Sequence, residues 1–428
     1  MEGVSRPGVV RRAPFAGLRP SPSRRDAPRM LTRAGWLCQN VPMQADPPEI
    51  SSKLPDVETT IFTVMSELAR EQGALNLSQG FPDFDGPPEL LERVQHYLTH
   101  GHNQYAPMMG VPALREAVSA KVAALYGLTA DPDVEVTVTS GATEALFCAI
   151  AAVVSPGDEV IVFDPAYDSY QPAVTLQGGT TRHVPLNPPD YRVDWDRVAD
   201  LMNERTRLII TNTPHNPTGT VWQAADVDAL ARVVADRRTF VLADEVYEHI
   251  IFDGREHQSL CRYPELYARS FVVSSFGKTY HTTGWKIGYC VAPPALTEEF
   301  RRIHQYVTFT SNTPMQLGLA DFLSAHPEHH LSLGDFYQRK RDLFCQLLAG
   351  SPFRAVPSAG TYFQLLDYSA FSNEHDVDLA RRLTCEAGIA SIPVSVFYDQ
   401  PPDHRMLRFC FAKDDATLRR GAEILCGL

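Results

Sequence analysis

SFVVSSFGKTYHTTGWKIG, Ser270 to Gly288, is the stretch on which the reading of this chain turns. Its first four residues read as a buried strand. Small and hydroxylated residues follow, with Lys278 just past the strand and Lys286 eight residues further on. A lysine at the mouth of a sheet, backed by apolar sequence, loses hydration. Desolvation favours the neutral amine and lowers its pKa. A neutral lysine is a nucleophile that forms Schiff bases with carbonyls. The stretch by itself also admits an ordinary exposed lysine, as any short motif can, though the nucleophile is the favoured reading.

Upstream, strand and helix patterns alternate from about Val134 to Val291. EVTVTS (Glu135–Ser140) alternates as a strand, and GATEALFCAIAAVV (Gly141–Val154) reads as a helix directly after it. VIVFDPAYDSYQP (Val160–Pro172), RLIITNTPHNPTG (Arg207–Gly219) and TFVLADEVYEHI (Thr239–Ile250) are further strands opening into loops. Such alternation predicts a mainly parallel sheet with helices on both faces, an α/β fold. Each strand runs out into polar residues. Gly141, Ala142 and Thr143 begin a helix, where free N–H groups and the helix dipole favour an anion. Many α/β helices begin this way, so the signal is weak alone. Tyr167 is either a core residue or a ring at the site. Asn212 and Asn216 suit turns. Asp244 lies at a strand's C-terminal end, where ligands bind in open α/β sheets, or it caps a helix. Glu245 and Glu248 read as structural.

The flanks differ. Asp56–Ala69 has near-helical apolar spacing, with Thr59 or Thr60 as cap. LNLSQGFPDFDGPPE (Leu75–Glu89) is a Gly- and Pro-rich loop in which Gly80 permits close backbone approach. Pro87–Tyr97 reads as a helix and Asn103–Gly110 as a loop. Beyond Pro314, helix-like runs at Met315–Ala325 and Leu333–Leu348 lead into a smaller α+β region. Its strands fall within residues 353–368, 388–398 and Arg405–Ala412.

Composition narrows the classes. Hydrophobic content of 44% and charged content of 21% are those of a globular protein, and no apolar run is long enough to span a membrane. Net charge is −12, which argues against a nucleic-acid partner. Residues 1–45 hold eight Arg and no Lys against Glu2 and Asp26, a net of +6, leaving −18 for the remainder. This Pro-, Ser- and Arg-rich tail predicts disorder. It reads as a targeting presequence or as an extension ahead of a start at Met43. None of the eight cysteines forms a C-x-x-C pair, which predicts neither zinc nor redox motif and a reducing, cytoplasmic compartment. His329 and His330 read as solvated loop residues, and no spacing predicts a metal site.

The Ser274–Gly288 stretch resembles the cofactor-lysine motif of class I aminotransferases, fold-type I enzymes that use pyridoxal 5′-phosphate (PLP). The family's motif ends in Arg; here the position is Lys286. That departure is similar to the branch containing kynurenine, glutamine and methionine aminotransferases. The resemblance covers Pro55 to about Leu428. It implies a fold-type I architecture: a large PLP-binding domain (89–324), an arm with part of a small domain (46–88) and a C-terminal small α+β domain (325–428). It implies that Lys278 carries PLP and acts as general base. Ser275, Lys286 and the Gly141–Thr143 loop would hold the phosphate, with Tyr105 donated by the neighbouring subunit of a homodimer with shared sites. Tyr167 would lie on the ring. Asp244 would pair with the ring nitrogen, and Asn216 and Tyr247 with the 3-oxygen. Arg408 would anchor the substrate carboxylate, near Gly80.

No second cation for a dicarboxylic substrate stands out. Phe62, Phe84, Tyr306, Phe309 and Tyr362 instead predict an apolar, aromatic pocket suited to methionine, leucine or aromatic amino acids, with a 2-oxo acid as acceptor. A PLP-dependent β-lyase acting on cysteine conjugates would share every cofactor contact. A PLP-binding regulatory protein would need a DNA-binding region, and no helix-turn-helix pattern precedes the fold.

Overall fold

Side-chain alternation along the central strands decides how they are buried. The computed structural model describes residues 49–428; the expectations for residues 1–45 lie outside them. Seven strands form one sheet: β1 (Val136–Thr139), β2 (Glu159–Asp164), β3 (Thr180–Pro185), β4 (Thr206–Asn212), β5 (Phe240–Asp244), β6 (Ser270–Ser275) and β7 (Gly288–Val291). Their order is β1-β7-β6-β5-β4-β2-β3, and only β7 runs antiparallel to its neighbours. Ile161, Ile209, Val241 and Val272 point into one hydrophobic cluster. Val160, Leu208, Leu242 and Phe271, each next door in sequence, point into another. A strand covered on both faces needs apolar residues at every position, which is why these runs are nearly continuous. Each such side chain contributes about 1.5–3 kcal/mol by leaving water.

Helices cover both faces. α1 (Ile61–Gln72), α2 (Pro88–Thr99) and α3 (Pro112–Tyr126) precede the sheet. α4 (Ala142–Val153) follows β1 and packs in the second cluster through Leu146, Ala149 and Ile150. α1 begins later than the Asp56 expected. Its cap is Thr60, whose hydroxyl accepts from the Phe62 N–H and donates to Asp168 at 2.7 Å.

The C-terminal part starts with α5 (Thr313–Ala325) and α6 (Pro327–Leu347). A four-stranded antiparallel sheet then combines β8 (Arg354–Ala355), β9 (Phe363–Asp367), β10 (Ile392–Pro393) and β11 (Met406–Cys410), in the order β10-β11-β9-β8. A third cluster, including Tyr337, Phe344, Leu366 and Phe409, packs under it and takes in Met65 and Leu77. Leu75–Asn76 pairs in parallel with Ile389–Ala390 in a separate two-stranded sheet, and the Cys410 N–H donates to the Leu77 carbonyl at 2.8 Å, which ties the N-terminal segment to the four-stranded one.

One expectation fails here. His329 and His330 are not loop residues. Pro327 starts α6, as proline favours the first helical position, so both lie in its first turn. His330 is 5% exposed, and His329 Nε2 donates to the Thr279 carbonyl at 3.1 Å. Burial lowers the His330 pKa to about 4.

Candidate active site

Five parallel strands end at the same edge of the large sheet, and their exits make one cleft. β1 hands over to Gly141, Ala142 and Thr143, β2 to Tyr167, β4 to Asn216, β5 to Asp244 and Tyr247, and β6 to Ser275 and Lys278. These residues and Lys286 all line one cleft, of about 130 Å³. Lys278 sits in a single helical turn, Phe276–Thr279, directly after β6.

Beside this cleft lies the substrate-side group. The Lys278 amine donates to the Gly80 carbonyl at 3.2 Å and to the Tyr362 hydroxyl at 2.9 Å, and Tyr362 donates in turn to the Gly80 carbonyl at 2.5 Å. Arg408, on β11, is 1% exposed. It donates to Asn216 Oδ1 and to the Ser78 carbonyl, both at 2.9 Å. Its guanidinium carbon lies 3.9 Å from the Phe363 ring centre and 5.0 Å from that of Phe62.

The electrostatics are those of a site short of counter-charges. Desolvation lowers the Lys278 pKa to about 8 and the Arg408 pKa to about 10. Desolvation raises the Asp244 pKa to about 6, although the Tyr170 hydroxyl donates to its Oδ2 at 2.6 Å. Asp244 forms no ion pair among the described residues. Arg408 Nε is buried with no hydrogen-bond partner there. Buried charges are ordinarily paired, so a cation is wanted at Asp244 and an anion at Arg408.

The residues fit PLP. Gly141 is the N-cap of α4 and offers no side-chain cap, which leaves the helix's first N–H groups free for an anion. Gly141 has φ +79°, and a Cβ there would meet Lys286 Cε at 3.2 Å, so any side chain would crowd the cradle. Lys286, itself at φ 55°, brings a cation to the same spot. Asp244 offers a buried carboxylate for a ring nitrogen, and Lys278 a partly neutral amine for an aldehyde.

Several residues in or around the cleft escaped the sequence reading. Asn212, read as a turn residue, donates to the Asp244 carbonyl at 2.9 Å and accepts from the Asn216 N–H at 2.8 Å, so it sets both. Of the two tyrosines in AYDSY, Tyr170 holds Asp244, while Tyr167 lines the cleft. Nothing in the spacing distinguishes them. Conversely, the expected aromatic pocket does not assemble within this chain. Phe62 and Tyr362 reach the site, but Phe84 packs on Phe336 and His281. Tyr306 is 87% exposed and Phe309 46%. Tyr105 is 85% exposed and packs edge-on against Phe309, 5.7 Å between ring centres.

The raised Asp244 pKa has a measurable consequence in the cofactor-free protein. Between its ordinary 3.8 and about 6 the folded state holds the proton more tightly than the unfolded chain. Stability therefore falls as pH rises through that window. The single-group cost above it is roughly 3 kcal/mol. Asp244→Asn is expected to remove this fall. Urea unfolding of both proteins from pH 4 to pH 7 checks it: parallel stability curves would show that Asp244 titrates normally.

Comparison with known proteins gives a concordant picture. Residues 72–425 match the family model described as aminotransferase class I and II. The chain is 56% identical over 374 residues to the methionine aminotransferase of Escherichia coli K12, covering 87% of this chain and 97% of that protein. It is 32% identical to the kynurenine–oxoglutarate transaminase of Dictyostelium discoideum, with 86% and 94% covered. The crystal structure of E. coli YbdL, identified as having a methionine aminotransferase function, matches with a TM-score of 0.88 at 55% identity, covering 89% of this chain and all of that one.

Proposed function

Since the chain belongs to the class I and II aminotransferases, which are PLP-dependent, we propose that it moves the amino group of methionine, or of another apolar or aromatic amino acid, to a 2-oxo acid. The observation that carries this reading is the juxtaposition of a desolvated amine, Lys278, with a buried guanidinium, Arg408, whose Nε has no partner among the described residues. The first suits a carbonyl carbon and the second a carboxylate, and an amino acid beside an aldehyde requires both. No helix among the described residues is long and apolar enough to cross a membrane.

PLP, when bound, supplies an aldehyde that takes up the amino group and a ring that draws off the electron pair of the broken Cα–H bond. Lys278 would hold the aldehyde carbon, Asp244 the ring nitrogen, and Asn216 and Tyr247 the 3-oxygen. The N–H groups at Gly141–Thr143, with Ser275 and Lys286, would hold the phosphate, and Tyr167 would cover the ring. Arg408 clamps the substrate carboxylate through its planar fork. Asn216 and the Gly80 segment stand beside it. With the cofactor bound, the free Lys278 amine would be the base that takes the proton from the substrate Cα and would carry it to the former aldehyde carbon. A pKa of about 8 keeps a useful fraction neutral near neutral pH. Phe62, Phe363 and Tyr362 shield the site from water.

The reading extends to assembly. Tyr105 and Phe309 pack together as exposed aromatics, and Tyr306, three residues before Phe309, is exposed as well; a second copy docked there would cover them. Tyr105 would then serve the partner's phosphate site, in a homodimer with shared active sites. We read residues 46–88, of which 46–48 lie outside the described residues, as an arm and part of the small domain, 89–324 as the large domain and 325–428 as the C-terminal small domain, and place the enzyme in the cytoplasm.

A donor-by-acceptor activity matrix on the purified enzyme tests substrate choice. Among the described residues near Arg408 no second cation meets a side-chain carboxylate. Methionine and aromatic donors are therefore expected to exceed aspartate and glutamate in kcat/KM. One methylene is worth only about 1–3 kcal/mol in an apolar pocket, so several apolar donors should serve. Aspartate as best donor by a wide margin would overturn the assignment.

A further inference from the structure

The sequence places Tyr362 in the wall of an apolar pocket; the structure gives its hydroxyl a further task. The segment GTYF, Gly360–Phe363, leads into β9. Thr361, β-branched and buried, has φ +63°. A branched residue in that region is an outlier, at a cost on the order of 1–3 kcal/mol. Its surroundings hold it there. The Thr361 N–H donates to the Ile250 carbonyl at 2.9 Å, the Thr361 hydroxyl accepts from the Phe363 N–H at 3.1 Å, and the Tyr362 carbonyl accepts from the Phe411 N–H at 2.9 Å. Strain of this kind gathers where side chains must be aimed. Here Phe363 is aimed at the Arg408 guanidinium and Tyr362 at the Lys278 amine. Gly80 makes room for both, since a Cβ there would lie 2.7 Å from Phe363 Cζ and 3.6 Å from Tyr362 Cε2.

The hydrogen bonds have a fixed sense. The Gly80 carbonyl can only accept, so the single hydroxyl proton of Tyr362 goes to it, across 2.5 Å. Towards Lys278 the hydroxyl then offers only a lone pair, and the amine donates to it at 2.9 Å. The Gly80 carbonyl accepts from the same amine at 3.2 Å. With their oxygens 2.5 Å apart, the two acceptors occupy one side of the amine. Among the described residues, only these two are hydrogen-bonded to it. A neutral amine has two N–H bonds and one lone pair. An N–H held by this pair leaves the other N–H and the lone pair for the cleft, which Lys278 lines and neither acceptor does.

We propose that Tyr362 is a positioning residue for proton transfer: its hydroxyl, braced on Gly80, holds one N–H of the Lys278 amine and so presents the lone pair to the substrate Cα. This rests on the reading of Lys278 as the base and deepens it. The other groups facing the amine are Cys410, Lys286, Arg408 and Asp244, with the Tyr247 ring centre 5.6 Å away. None of them changes in the variant that tests the role.

Tyr362→Phe removes the hydroxyl and keeps the ring, and the Gly80 carbonyl still accepts from Lys278, so circular dichroism should match wild type. The first measurement uses cofactor-free protein and no substrate. Acylation of Lys278 by acetic anhydride is followed by peptide mass spectrometry from pH 6 to pH 10, spanning the Lys278 value of about 8. A hydroxyl that accepts from the amine favours its charged form, so its removal is expected to move the pH midpoint down by about half a unit. If Tyr362 only excluded water, the variant would admit water and the midpoint would rise toward the ordinary lysine value. The second measurement uses PLP-loaded enzyme and its best amino donor. kcat is expected to fall by roughly 10–10²-fold, the order of loss that misplacing a reacting group brings, with KM changed less than about twofold. The effect of deuterium at the donor Cα on kcat should grow. An unchanged or raised midpoint, or an unchanged kcat, would overturn the assignment. The first measurement needs no donor, so an error in substrate choice leaves it standing. Retained turnover in Lys278→Ala would instead remove the base itself, a failure the midpoint does not register.

Discussion

Lys278→Ala is expected to lower transamination by at least about 10⁴-fold, because one side chain supplies both the nucleophile and the general base. The loss should be chemical rather than structural. Lys278 is half-buried, and its two partners, the Gly80 carbonyl and the Tyr362 hydroxyl, remain bonded to each other when it is removed. No buried group is stranded, so the variant should fold. Near-normal unfolding behaviour alongside lost turnover is the expected pair of results, measured by circular dichroism and steady-state assay. Retained turnover would move the chemistry to another amine.

Arg408 carries the second large effect. Two hydrogen bonds from a buried guanidinium to a carboxylate are worth about 1.5–3 kcal/mol each. Their loss translates into roughly 10²–10⁴ in kcat/KM at 1.36 kcal/mol per decade. Arg408→Lys is the cleaner variant, since it keeps the charge but removes the fork. A leucine would strand Asn216 Oδ1 and the Ser78 carbonyl as well, mixing stability into the result. The discriminating measurement uses an amine donor without a carboxylate. Arg408→Lys, which can still donate one bond, should depress kcat/KM for methionine by roughly 10–10²-fold and leave the weak rate with the simple amine almost unchanged. Equal losses on both donors would make Arg408 a structural residue.

Much of this arrangement is legible in the sequence because the large sheet is parallel. Every exit from a parallel strand lies on one edge, so Thr143, Tyr167, Asn216, Asp244 and Lys278 could be placed together from strand order alone. Nearly continuous apolar runs mark those strands without ambiguity. The C-terminal part is less transparent: β8 and β10 are two residues long, too short for any period to register. Long-range partners are invisible in principle. Tyr170 reaches Asp244 across 74 residues and Tyr362 reaches Gly80 across 282, and no local pattern encodes either. His329 and His330 went astray because two adjacent polar residues look like a loop, whereas Pro327 starts a helix that buries one of them. Tyr306 and Phe309 were expected in a pocket on hydrophobicity alone; in one copy of the chain they face outward.

The central claim is that Lys278, and no other amine, takes the cofactor. Borohydride reduction of the PLP-loaded protein followed by peptide mass spectrometry tests it directly. The account predicts the pyridoxyl-phosphate mass increment on the peptide containing Lys278, and its absence from that peptide in Lys278→Ala. A wild-type protein that carries the increment on Lys286 or elsewhere instead, or that takes none, would contradict it.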